Sequence, residues 1–83
     1  FYNNVIAYSV ERLAAYLEAR TRLGELVIDD HQLAASQFME MCKASLFLPF
    51  VFQAAPAPSA ERIAEVVGSA TRMFLAAYGA KRD

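Results

Sequence analysis

Catalytic and metal-binding side chains are scarce in this chain of 83 residues, which has one histidine and one cysteine. Cys42 has no partner for a disulfide framework, which fits a reducing, cytoplasmic setting. His31 stands beside Asp29 and Asp30, but Cys42 lies about three helical turns away, and zinc-ligand spacing is lacking. Only three glycines occur, none in a loop that could cradle phosphate. No Ser, His and Asp set supports nucleophilic catalysis. Charge of one sign is lacking as well: eight Lys and Arg oppose nine Asp and Glu, for a net charge of −1. The basic residues are dispersed, without the clustered face that duplex contact needs. No signal peptide is visible in these 83 residues, and the apolar run Leu46–Phe52 is far too short to cross a bilayer. The expectation is a chain with no enzymatic activity, no cofactor, no metal, and no direct contact with nucleic acid or membrane.

The remaining polar candidates have structural explanations. His31 falls in the first turn of a helix and reads as an exposed first-turn residue. Asp30 is a good N-cap, and Asp29 adds negative charge near the positive helix terminus. Glu11, Glu18, Glu61 and Glu65 read as solvated helix faces.

What is abundant is apolar surface. Apolar types make up 57% of the chain, above the usual 45–50% or so. One small domain has too little interior to hide them all. The excess is clearest in the last helical pattern, which Ser59 opens and which runs to about Gly79. At about 100° per residue, Met73, Val66, Ala77, Ala70, Ile63, Phe74, Val67, Tyr78, Thr71, Ala64, Leu75 and Gly68 form one arc of about 220°. A surface helix needs a stripe of little more than about 100°. This helix has room for two partners, and a second copy of the chain is the simplest candidate for one of them.

Two further helices precede it. The first spans about Val5–Leu23, with Ile6, Val10, Leu13, Ala14, Leu17 and Thr21 on one stripe and Gly24 ending it. Phe1–Asn4 reads as the close of an earlier helix, with Asn3-Asn4 as the break. Because the sequence starts at Phe1, without Met and already inside an amphipathic pattern, the expectation is the C-terminal part of a longer polypeptide. In Glu25–Asp30, Leu26 and Ile28 alternate with Val27 and could plug the bundle end. The second helix spans about His31–Phe52, with Ala34, Phe38, Met41, Cys42 and Ser45 on one face. Its end, Leu46–Phe52, is apolar on all sides, with a kink expected at Pro49. Gln53–Pro58 is a stiff connector. Gly68 costs a helix about 1 kcal/mol relative to Ala, and close approach of a neighbouring helix is the expected compensation. Tyr8, Tyr16, Phe38, Met39, Met41, Phe47 and Phe50 fit either ordinary core or the wall of an adaptable apolar cavity. Cys42 reads first as a small buried hydrophobe.

Taken in order, AAYLEARTRLGELVIDDHQLAASQF, SLFLPFVF, the proline-rich joint, SAERIAEVV and FLAAYG resemble the C-terminal domain of TetR-family transcriptional regulators, most closely the AefR-like branch. Gly24-Glu25-Leu26, Asp29-Asp30, Leu33-Ala34-Ala35, Gln37-Phe38 and Phe74–Gly79 carry the likeness, which covers nearly the whole chain. His31 stands where this branch is expected to have Pro, and the first helical position tolerates both. The resemblance implies an all-α homodimer of three main helices, the last two forming a four-helix bundle between subunits. It implies a cavity for a small apolar or amphipathic effector, and operator DNA bound only through an N-terminal helix-turn-helix absent from this sequence. Residues 1–83 are then the dimerisation and effector-binding domain of a repressor. Tyr8, Tyr16, Phe38, Met41 and Cys42 are the pocket candidates. Leu48, Val51, Phe52, Val67, Gly68, Thr71, Phe74 and Tyr78 are the interface candidates. The alternatives are a helical dimerisation module without a ligand and a small enzyme built on a bundle, which would need inward-facing titratable groups.

Overall fold

The computed structural model describes the backbone of residues 2–46 and 56–81, with side chains from residue 7 onward. Three helices run through them: α1 (Tyr2–Arg22), α2 (His31–Leu46) and α3 (Ala60–Tyr78). The chain is all-α, as its periodicity predicts.

α1 begins at Tyr2, earlier than expected, and Asn3-Asn4 do not break it. Asn is only a modestly poor helix former, and neither Gly nor Pro stands there to stop propagation. The other end stops as the sequence predicts. Gly24 adopts φ 84°, a conformation that costs glycine little and other residues more. The Gly24 N–H donates to Thr21 O at 3.0 Å, and the Glu25 N–H donates to Arg20 O at 3.1 Å. This pair of bonds is a Schellman motif, which satisfies carbonyls that the helix leaves unpaired.

The chain then crosses to α2 with the expected alternation: Leu26 and Ile28 are buried, while Val27 between them is exposed. The same segment clasps the end of α3. Val27 N–H donates to Tyr78 O at 2.7 Å and Ala80 N–H to Glu25 O at 3.1 Å, pairing Leu26 with Gly79 in an isolated antiparallel bridge.

Asp30 caps α2, its carboxylate accepting from Leu33 N–H at 3.0 Å. His31 is half-buried rather than exposed, with Nε2 at 3.3 Å from Thr21 Oγ1. The Thr21 hydroxyl, which donates to Leu17 O at 2.8 Å, keeps lone pairs free to face the imidazole. The contact ties the start of α2 to α1. Ser59 caps α3 by accepting from Arg62 N–H at 3.1 Å, with Glu61 in the first turn.

α2 packs against both α1 and α3, while α1 and α3 stay apart. Ala34 and Ala35 on α2 are completely buried, since only small side chains fit where it is sandwiched. They share one core with Ala14, Leu17, Leu26, Ile28 and Phe74, and Val10, Leu13, Phe38 and Tyr78 pack against it. The result is an open layer, 16 Å in its thinnest dimension. Its radius of gyration is 14.3 Å, against about 12 Å for a compact domain of this length. It exposes 6406 Å², where a compact monomer of this mass would expose about 4900 Å².

Candidate functional site

Because α1 and α3 do not meet, a groove of about 310 Å³ lies between them. α1 supplies Leu13, Tyr16, Leu17 and Arg20; α3 supplies Thr71, Phe74 and Leu75. Phe38 of α2 and Leu26 of the linker complete the lining, with Glu25 at the rim. Two of its rings, Phe38 and Phe74, meet edge to face at 5.6 Å between centroids, and Tyr78, outside the lining, lies tilted against Phe74 at 4.9 Å.

The polar groups are few and mostly engaged. Thr71 Oγ1 donates to Val67 O at 2.7 Å, which spends its only donor. Arg20 lies over the Tyr16 ring, 5.3 Å from its centroid, and forms an ion pair with Glu25 at 3.0 Å. Hydrogen bonding and charge from Glu25, with smaller help from Tyr16, raise the Arg20 pKa further. The Schellman turn makes the ion pair possible, because it brings residues five apart into contact. Among the described residues no buried side-chain polar atom lacks a partner, and no group of acidic, histidine and cysteine side chains could hold a metal ion.

Of the pocket candidates, Tyr16 and Phe38 come together in this groove. Tyr8 is exposed, its hydroxyl accepting from Arg12 at 3.1 Å. Met41 lines a separate hollow between α2 and α3, beside Val66, Ala70 and Met73. Cys42 is half-buried, and burial pushes its thiol pKa up.

Of the interface candidates, Leu48, Val51 and Phe52 lie outside the described residues, as do the expected kink and the end of the second helix. Phe74 is buried in the subunit's own core, while Val67 and Thr71 are exposed. Tyr78 is half-buried, its hydroxyl donating to Gln37 Oε1 at 3.3 Å. At Gly68 a Cβ would meet, among the described residues, only Arg72 Nη1, at 3.6 Å. Among the described residues, no neighbour within the subunit makes the close approach expected at this glycine.

α3 therefore presents two apolar regions. Val66, Ala70 and Phe74 are buried, while Ile63, Val67, Met73 and Leu75 are 42%, 37%, 54% and 50% exposed. Thr71 and Phe74, read from sequence as interface, share the groove with Tyr16 and Phe38, read as pocket. Sequence reading missed Leu13, Leu17, Arg20, Glu25, Leu26 and Leu75 as groove residues. The available signal was Gly24, whose turn carries Glu25 and Leu26 back onto the last turn of α1.

No described helix is long and apolar enough to cross a membrane. The family model described as AefR-like transcriptional repressor, C-terminal domain, matches residues 1–80. Comparison with curated proteins and with solved structures gave no match.

Proposed function

The chain belongs to the family of AefR-like transcriptional repressor C-terminal domains, and from that premise we propose that it pairs with a second copy and couples a small effector to release of operator DNA. The family is one of regulators, and we assign the chain no catalysis. Residues 1–83 act as one domain, in the cytoplasm. Operator contact belongs to a helix-turn-helix outside this sequence, consistent with a net charge of −1 and dispersed basic residues.

The observation that carries the pairing is the uncovered half of α3. Ile63, Val67 and Leu75 are large and apolar, yet substantially exposed. The whole chain exposes 6406 Å², about 1500 Å² more than a compact monomer of its mass. A standard interface removes about 800 Å² from each partner, so one isologous contact would absorb much of the excess. Val67, Gly68 and Thr71 form the face we assign to the twin, together with Leu48, Val51 and Phe52.

The groove is the natural place for an effector. Its α3 wall adjoins the pairing face, so a ligand that favours one spacing of α1 and α3 also favours one geometry of the dimer. Differential binding would then shift the population between operator-competent and operator-incompetent dimers.

Val67→Glu tests the pairing face without touching the core. Light scattering is expected to show a monomer, because an unpaired charge would be buried in the interface, while far-ultraviolet circular dichroism stays helical. A Val67→Glu chain that still pairs with unchanged affinity would overturn the assignment. Phe74→Glu would not discriminate, because Phe74 belongs to the subunit's own core.

A further inference from the structure

We propose that the α1–α3 groove selects a small ligand with an uncharged polar head, which is held by the Arg20–Glu25 pair while its apolar body lies on Phe38 and Phe74. This rests on the effector reading above and adds the chemical class. The body follows from the lining, where Leu13, Leu17, Leu26 and Leu75 surround the two aromatic rings. The size follows from about 310 Å³, near the lower end of ligand cavities, which suits one or two fused rings or a short chain.

The head follows from charge. Among the described residues, Arg20 and Glu25 are the only charged groups lining the groove, and they neutralise each other at 3.0 Å. A carboxylate approaching Arg20 would meet the Glu25 carboxylate, and an ammonium approaching Glu25 would meet the guanidinium. Like-charge approach in a partly apolar site is unfavourable. An amide or alcohol has no such conflict. It can accept from another Arg20 N–H, since guanidinium has five, and donate to a free lone pair of Glu25. The pair is also held ready: the Tyr16 ring lies against Arg20, and the Schellman turn fixes the Glu25 backbone. A preformed donor and acceptor lose little freedom when the ligand arrives.

Three probes with one body and different heads test this: naphthamide, naphthoate and naphthylmethylamine. Each is titrated into the 83-residue chain while methyl resonances of Leu13, Leu17 and Leu75 are followed. Naphthamide is expected to shift these methyls with about tenfold tighter Kd than either ion. Glu25→Gln frees the guanidinium and is expected to move the preference to naphthoate. Arg20→Gln is expected to move it to naphthylmethylamine. If all three bind these methyls equally, or an ion binds best to the unaltered chain, the head-group inference fails and the effector groove stands. If no probe shifts these methyls at millimolar concentration, the groove reading fails with it.

Discussion

Cys42 shows how one side chain's surroundings set its chemistry. Burial raises its thiol pKa, so the reactive thiolate forms only at higher pH than in an unfolded chain. The unperturbed thiol ionises near about pH 8.5. At about pH 8 the folded chain is therefore expected to alkylate more slowly than the urea-unfolded chain, as iodoacetamide labelling measures. Faster labelling of the folded chain would contradict the burial argument. Gly79 poses a different constraint, for a Cβ there would sit 2.6 Å from Leu75 O. Gly79→Ala must displace the end of α3 and with it the bridge to Leu26. Hydrogen exchange at the amides of Val27 and Ala80 is expected to accelerate, while the middle of α2 keeps its protection.

At the scale of elements, the parts most legible in the sequence were those set by local chemistry. Asp30 and Ser59 accept from backbone N–H groups three residues on, as good N-caps do. Gly24 ends α1 and Leu26 and Ile28 point inward, because both depend on short-range geometry or strict alternation. Ala35 was not legible. It lies beside Ala34, and its burial depends on α2 having neighbours on two sides, which no single stripe reveals. The groove was half legible for the same reason. Tyr16 and Phe38 belong to different helices, and only the gap between α1 and α3 brings them together. Phe74 illustrates the limit of a helical wheel: it lies within the broad apolar arc of α3, but the wheel does not say which part faces the subunit's own core. Gly68 offers a test at this scale. In an isolated subunit Gly68→Ala has room and adds up to about 1 kcal/mol of helix propensity. Where a twin's helix crosses close above it, the added methyl overpacks. The dimer Kd is expected to rise about tenfold, although the isolated helix becomes more stable. An unchanged or tighter dimer would remove Gly68 from the crossing point.

The whole molecule is shaped less like a ball than like a slab. α2 joins two helices whose backbones stay apart, and a clasp between the linker and the end of α3 closes the far side. Such a layer leaves apolar wall on view, including Val67 and Leu75 along α3 and Tyr16 at the groove. Hydrophobic surface of this extent drives association in water. On the function proposed above, a small molecule in the groove would act on pairing through the α3 wall, which the groove shares with the proposed pairing face. Sedimentation equilibrium of the chain at tens of micromolar tests this most directly. The account predicts a single species of twice 9.2 kDa; a stable, folded species of 9.2 kDa across that range would contradict it.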